Sequence, residues 1–502
     1  MPEMTTPLVS IIRDRSKIAG LLVIILPVLL VTIDNTILNF ALPRITMALD
    51  PSAAEQLWMI DAYSLVLAGL LVTMGSVGDR VGYRRLLCIG CTGFAAISVA
   101  VTFSQHAWQL IAGRAVLGFF GAMILPATLA LIRTAFEDRE ERRLAVAVWA
   151  TCLTVGSALG PLLGGVLLQF FSWESVFLVA LPFLLPVLML SPMITESEKQ
   201  PDLSIDYLSI LLSLAAMICL MLSLKHLATR GLDSYMVGYA LAGILLGAMF
   251  IQRQLRLETP LLDLKLFTSG VFSISIAVNL VSLGLLIGFI FFATQMLQLL
   301  LGLAPLAASL ILVPGQLLAV VAGLAIVPVA QRLAPHQLIP GCLCLAAAAF
   351  AVMALGTASA LTVAVAFGLL NVAVAAITSV SNDLVLGAVP AERAGSASSV
   401  SETAYEVGVV LGTTLIGGAV TAWYRLSLAL PEGAGSEVES GVTTLGGAHA
   451  LAARLPTEMA AKVLVTVDAA FRQSVTMTSA ALAVLVLLFA YIAYRNLRRA
   501  AK

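Results

Sequence analysis

The chain has 502 residues, of which 60% are hydrophobic and only 11% carry a charge. Soluble domains are about a quarter charged, so this composition excludes a soluble globular protein and favours one embedded in a bilayer. The 28 basic and 28 acidic residues cancel, which leaves no bulk basicity for binding nucleic acid. The six cysteines lie in apolar segments, so no disulfide framework, metal site or cofactor is expected.

Fourteen apolar runs are long enough to cross a membrane as helices, which takes about 20 residues. They lie near residues 20–42, 57–77, 86–104, 107–131, 144–168, 173–193, 205–226, 233–252, 270–301, 305–330, 337–358, 361–388, 398–422 and 474–494. The sequence therefore predicts an all-α integral membrane protein with fourteen transmembrane helices.

The Lys and Arg residues concentrate in alternate connections between these runs. If the N-terminus is cytoplasmic, most of them fall on the cytoplasmic side, among them Arg80, Arg142 and Arg498. Cytoplasmic loops carry such an excess, so we expect a multi-pass protein with both termini in the cytoplasm.

The first and fourth runs each contain a charge far from their ends. At 1.5 Å per residue, Asp34 and Arg114 both lie about 10–12 Å below the outer surface. Equal depth makes them candidate partners, because a charge inside the membrane is costly unless it is paired. Two hypotheses remain open. Either a movement separates the pair and lets Asp34 take up a proton, or the pair is a static tie between helices.

The second run carries Asp61 about one turn from its outer end, followed by Tyr63. A carboxylate beside an aromatic ring offers charge neutralisation and a π face, which suits a lipophilic cation. The alternative is that Asp61 merely extends to the lipid headgroups.

The turn between the second and third runs reads GSVGDRVGYRR over residues 75–85. Gly78 and Gly82 allow a tight turn, and Asp79 can favour the start of the next helix through its dipole. The motif also contains Gly75, Arg80, Arg84 and Arg85, with the arginines expected at the headgroup level. A basic loop that only fixes topology is the alternative.

The fifth run contains GSALGPLLGG, which places Gly156, Gly160 and Gly164 along one helix face. Glycines at this spacing let helices approach closely in lipid, and Pro161 adds a bend. Tight packing explains the pattern, and a pivot between conformations is compatible with it.

The thirteenth run carries Glu402 and Glu406 one turn apart, with Tyr405 beside them. Both carboxylates can lie on one face, where two close acids tend to hold one proton between them. Glu406 is expected nearer the midplane or inner half, as a substrate or proton site. Glu402 is either part of that site or only an inner-loop residue. Asp206, at the start of the seventh run, is interpreted as a helix cap.

Residues 425–473 form the one long connection outside the predicted helices. Its first part, PEGAGSEVESG, is typical of a flexible loop, and residues 449–472 could form two short amphipathic helices broken at Leu455–Pro456. The segment is either a solvated connector or a lid over the outer opening.

Shifting the chain by 252 residues brings related segments into register, as expected of an internal repeat. Arg80 then falls on Arg332, Glu140 on Glu392, and Gly156 and Gly160 on Gly408 and Gly412. We expect two six-helix bundles, residues 1–195 and 269–502, separated by two inserted helices within 196–268. Two such halves that rock about a midplane site are a transporter architecture.

Several motifs resemble the major facilitator superfamily. GSVGDRVGYRR resembles its inner-loop signature, with Tyr83 where a basic residue is usual. LIAGRAVLGFFGA (110–122) resembles its helix-4 arginine motif, and GSALGPLLGG its antiporter motif. TIDNTILNFALP (32–43) is similar to the helix-1 motif of the fourteen-helix drug:proton antiporters. LWMIDAYSLVLAG (57–69) and ETAYEVG (402–408) are similar to QacA/SmvA-like exporters of quaternary ammonium antiseptics and cationic dyes.

The resemblance implies proton-driven export of lipophilic cations by alternating access, with Asp34, Arg114 and Glu406 in proton coupling. It implies that Asp61 acts in cation binding together with Tyr63. The expected setting is a bacterial cytoplasmic membrane, with small cations, protons and lipid as partners, no cofactor or nucleic acid, and a monomer as the functional unit. The alternative is the same scaffold exporting a neutral or anionic metabolite, for which Arg114 is the one cation identified. An enzyme is not expected, since no nucleophile constellation, phosphate loop or metal cluster is found.

Overall fold

The computed structural model describes residues 15–136, 138–194, 196–197, 199, 206–257, 260–389, 394–428 and 441–500. Within these ranges the chain is all helical, and fourteen helices are long and apolar enough to cross a membrane. The predicted all-α membrane fold with fourteen spans is therefore confirmed.

The fourteen helices are numbered α1–α14 in chain order. The first six are α1 (Arg15–Leu49), α2 (Ala53–Val81), α3 (Tyr83–Val101), α4 (Ala107–Ala135), α5 (Arg139–Phe170) and α6 (Ser175–Leu178, continuing as Ala180–Leu190). The next two are α7 (Tyr207–Arg230) and α8 (Ser234–Arg256). The last six are α9 (Gly270–Gln295, with a π-helical turn Met296–Leu300), α10 (Pro305–Ala330), α11 (Pro335–Leu355), α12 (Ala360–Gly387), α13 (Ala394–Gly412, a π-helical turn Thr413–Gly417, then Gly418–Ser427) and α14 (Thr457–Ala500).

Local sequence explains where α2 begins and ends. Ser52 and Glu55 form a reciprocal capping box, in which each side chain accepts a backbone N–H at the start of the helix. Gly82 ends the helix with φ of 101°, a backbone conformation that favours glycine. α2 is thereby held between two fixed turns, which sets the positions of the polar residues along it.

Glycines bring corresponding helices of the two halves into the same close contact. A Cβ on Gly156 or Gly160 of α5 would lie 2.9–3.0 Å from a backbone oxygen of α1. In the C-terminal half, a Cβ on Gly412 of α13 would lie 2.6 Å from the backbone of Gly284 in α9. The 252-residue offset thus relates two helix pairs that pack by the same means. Glu392, which the offset pairs with Glu140, lies outside the described residues.

Residues from both halves meet at the face of the protein that was predicted to be outer, and we call this the outer face. The Gln298 amide of α9 donates to the Phe40 carbonyl of α1 over 3.1 Å. At the same face, a Cβ on Gly165 of α5 would lie 2.7 Å from the Ser309 Cβ of α10. The two halves are therefore in contact at the outer face.

A short helix, Leu445–Ala452, lies at the outer face and is called the outer helix. Its Gly446 packs against Thr46 of α1, and its His449 contacts Asp468 of α14 at 3.2 Å. The chain breaks near Pro456 as predicted, but the second short helix is not separate from the last span. No Gly or Pro interrupts residues 457–500, so one helix runs through. Residues 429–440, most of the predicted flexible part, lie outside the described residues.

Candidate functional site

Asp34 of α1 and Arg114 of α4 form a buried ion pair. The Arg114 Nε also donates to the Met59 carbonyl of α2 over 3.2 Å, and its guanidinium lies over the Tyr63 ring, 4.5 Å from the centroid. Arg114 is only 1% exposed, so its charge is compensated almost entirely by these contacts. The pairing expected from equal depth is present, and it joins three helices of the N-terminal half.

Glu406 of α13 is held at the junction of the two halves by a neutral partner. The Asn35 amide of α1 donates to Glu406 Oε1 over 3.1 Å, and the Ser64 hydroxyl of α2 donates to Asn35 Oδ1 over 3.2 Å. The second carboxylate oxygen of Glu406 is buried and has no hydrogen-bond partner among the described residues. Glu406 is 8% exposed, so it is a buried acid whose bonded partner is an amide rather than a cation.

Asp61 of α2 is bound by Lys225, which extends from α7. The Lys225 ammonium lies 2.5 Å from Asp61 Oδ2 and 4.2 Å from the centroid of the Trp58 ring. The Thr414 hydroxyl of α13 donates to the same Asp61 oxygen over 2.8 Å. The prediction that Asp61 and Tyr63 form one carboxylate–aromatic pair is wrong. Two positions apart on a helix, they lie on different faces, and Trp58 is the ring near the charge.

Lys225 is a site residue that sequence reasoning missed. It lies five residues before the end of α7, the end that approaches the outer face. The structure buries its side chain to 2% exposure beside an equally buried Asp61. Its position inside the apolar run 205–226 was the signal, since a charge within such a run needs a partner. The prediction that Arg114 is the one cation of the interior is corrected accordingly.

Two groups of polar contacts lie near each other where α2 meets α13. Asp61 contacts Thr414 at the outer end of the α2–α13 interface, and Ser64 lies one turn further along α2. Ser64 leads through Asn35 to Glu406, and Asp34 is the chain neighbour of Asn35. Along α2, the Asp61 contacts and the Ser64 contact that leads to Glu406 are therefore about one helix turn apart.

The depth assigned to Asp34 from the sequence is corrected. α1 continues to Leu49 instead of ending near residue 42, because Pro43 is accommodated inside the helix. Asp34 therefore lies near the middle of α1, and the bond from its neighbour Asn35 brings Glu406 to the same level. The change concerns the outer depth assigned to Asp34, while a position of Glu406 near the middle of the helices agrees with the expectation for it.

Tyr405 and Glu402 are placed differently from Glu406. The Tyr405 hydroxyl donates to Asn382 Oδ1 over 2.9 Å, and Asn279 and Ser401 bind the same oxygen. Tyr405 thus belongs to a polar cluster within the C-terminal half and is not directed at the cation residues. Glu402 lies one turn before Glu406 on α13 and is partly exposed.

The GSVGDRVGYRR turn is fixed by an acid from the segment after α6. The Glu196 carboxylate accepts the backbone N–H groups of Arg84 and Arg85 over 2.8 and 3.2 Å, at the first turn of α3. Asp79 accepts the hydroxyl of Tyr83, the first residue of α3, over 2.8 Å, so it lies by this helix start while Glu196 bonds the N–H groups. Tyr83 also packs on Gly78, where a Cβ would overlap its ring.

Asp206 caps α7 as predicted and carries a second bond that the sequence did not indicate. It accepts the Ser209 N–H at 3.2 Å, and the Arg253 guanidinium of α8 binds both of its oxygens at 2.9 and 3.0 Å. The hydrogen bond from Arg253 and those from Ser209 lower the pKa of Asp206 to about 2. The inserted helices are therefore joined to each other by a charged pair at the ends away from the outer face.

Comparison with known proteins gives concordant findings. A family model described as the Major Facilitator Superfamily matches residues 24–413. The chain is 45% identical over 498 residues to the multidrug efflux pump LfrA of Mycolicibacterium smegmatis, covering 98% of this chain and 99% of LfrA. It is 34% identical to the methyl viologen resistance protein SmvA of Salmonella typhimurium, covering 92% and 94% of the two chains.

Among solved structures, a bacterial homologue of the human lysosomal transporter Spinster, inward-facing and unoccupied, has a TM-score of 0.70. That likeness covers 97% of this chain and 98% of the other at 16% sequence identity. At this identity it concerns the fold alone.

Proposed function

Because the chain belongs to the major facilitator superfamily and is thus a multi-pass membrane transporter rather than an enzyme, we propose that it is a proton-coupled antiporter that exports lipophilic organic cations. Quaternary ammonium antiseptics, cationic dyes and biguanides are the proposed substrates. The names of the relatives, a multidrug efflux pump and a methyl viologen resistance protein, support drug export.

The observation that carries the proposal is the state of Glu406. It is a buried carboxylate between the two halves, bonded by the neutral amide of Asn35. A charge in this setting is unfavourable until a cation or a proton neutralises it. Either a proton or a cation can neutralise Glu406, so binding of one favours release of the other. Exchange of a cation for a proton requires this competition.

Asp34 and Arg114 are proposed to couple this exchange to proton movement. The pair neutralises Asp34 while it is intact. A helix movement that withdraws Arg114 leaves Asp34 as a buried acid that takes up a proton. Return of the arginine expels that proton, so the pair converts a conformational change into proton transfer.

Export of an anionic metabolite has weaker support. Such a substrate needs a basic side chain available in the interior, but Arg114 and Lys225 are each held by an aspartate. We further propose that both termini are cytoplasmic, that the monomer is the functional unit, and that bundles 1–195 and 269–502 flank an inserted pair of helices.

The test is transport in inverted membrane vesicles with an imposed pH gradient. Addition of ethidium should dissipate the gradient, Asp34→Asn should abolish this coupling, and Glu406→Gln should abolish exchange or change the range of exported cations. Asp383→Asn, which removes an exposed carboxylate from α12, is the matched control and should behave as the wild type. Normal exchange by Glu406→Gln, with an unchanged range of cations, would refute the proposal.

A further inference from the structure

The Asp61–Lys225 contact has the chemistry of an occupied cation site. A carboxylate oxygen at 2.5 Å and an aromatic face at 4.2 Å surround the Lys225 ammonium. This combination is the one by which proteins bind organic ammonium ions. Leu65, Met221 and Val410 form an apolar cluster around the same junction of α2, α7 and α13, with Trp58 packed against it. A lipophilic cation needs such a lining in addition to the charge.

We propose that Lys225 is a tethered occupant of a cation site formed by Asp61, Trp58 and Thr414, and that the cationic substrate exchanges with it. The inference rests on the proposed export of lipophilic cations and adds the inserted helix α7 to the substrate path. In the arrangement described here, Lys225 fills the site while the two halves are in contact at the outer face.

Exchange of the Lys225 ammonium for a substrate cation explains how Asp61, a fully buried carboxylate, can bind a transported ligand. Removing Lys225 without a replacement would leave Asp61 charged and unpaired at 0% exposure, which is strongly unfavourable. When a substrate cation takes its place, Asp61 remains neutralised. Lys225 is five residues before the end of α7 at Arg230, so its long side chain can carry the ammonium towards the headgroup region.

The site also connects exchange to the relative position of the halves. Thr414 belongs to the π-helical turn of α13 and donates to the same Asp61 oxygen that binds Lys225. Separation of α2 from α13 breaks that bond and weakens the hold on the oxygen. We therefore expect release of Lys225, and entry or exit of the substrate, to accompany opening between these two helices.

The proposal is tested by equilibrium binding of tetraphenylphosphonium to the purified full-length protein, measured by calorimetry at mildly alkaline pH so that protons compete least. Lys225→Met removes the tethered competitor and should tighten binding by about tenfold or more. Lys225→Arg keeps the charge but forms a more rigid pair with Asp61, so it should weaken binding. Lys462→Met, which removes an exposed lysine near the outer face, is the charge-matched control and should bind as the wild type.

The Asp61→Asn/Lys225→Met double variant should lose the gain in affinity. Gel filtration checks that each variant is folded. If Lys225→Met does not fold, the affinity of Lys225→Arg decides whether Lys225 competes with the cation. Unchanged affinity in both single variants, or a gain that survives in the double variant, overturns the inference while leaving the proposed function intact. If the wild type itself binds no tetraphenylphosphonium, the proposed function fails and the inference fails with it.

Discussion

The close contact between α9 and α13 gives a prediction whose size can be worked out from the structure. A Cβ on Gly412 would lie 2.6 Å from both the carbonyl carbon and the Cα of Gly284. Carbon atoms prefer separations of about 3.5–4.0 Å, so Gly412→Ala requires the helices to separate by about 1 Å. The obstacle is backbone and cannot rotate away. We therefore expect a loss near the upper end of the overpacking range, about 3 kcal/mol of stability.

The same displacement should impair transport, because Gly412 lies on the helix that carries Glu406 to Asn35. Thermal unfolding of the detergent-solubilised protein and ethidium transport in vesicles measure the two effects. Gly341→Ala is the matched control, since a Cβ on that helical glycine meets nothing within 4 Å. It should be neutral or stabilising by about 0.5–1 kcal/mol. Equal stability of the two variants would refute the packing argument.

Three further predictions concern polar contacts outside the central site. Asp206→Asn should lower stability by about 1 kcal/mol at neutral pH, because it removes the charge that Arg253 binds. With a folded pKa of about 2, below the ordinary value of about 3.9, the aspartate stabilises the fold above pH 4. The difference in melting temperature between wild type and variant should therefore disappear as pH falls from about 4 towards 2, and a constant difference would contradict the argument. Glu196→Ala should cost about 1–3 kcal/mol and slow transport, because two N–H groups at the start of α3 lose their acceptor; unchanged melting and transport would count against it. Gln298→Leu removes the bond to the Phe40 carbonyl, so hydrogen–deuterium exchange in residues 41–49 should accelerate, and an unchanged rate would show that this bond does not hold the outer face closed.

The spans and one ion pair were predictable because they depend on properties that the sequence carries directly. Apolar length defines the fourteen helices, and the burial cost of a charge pairs Asp34 with Arg114. The glycine spacing in α5 likewise predicts close packing, and its contacts with α1 follow.

The rest of the site depends on which helix lies beside which, and this information is not local. Nothing in α2 indicates that α7 lies against it, so the Lys225–Asp61 pair could not be derived from either segment alone. Tyr63 is different. The 100° turn per residue already separates it from Asp61, and its misplacement came from treating neighbours in sequence as neighbours in space.

Asp34 and Asn35 are consecutive residues of α1 that bind in different directions, one towards Arg114 and the other towards Glu406. Side-chain tips lie about 5–6 Å from a helix axis, so a 20° rotation of α1 moves both by about 2 Å. That displacement is enough to break either contact. A rotation of α1 would therefore change the Asp34–Arg114 and Asn35–Glu406 contacts together. The two sites are coupled through this helix, and no direct contact between Arg114 and Glu406 is needed.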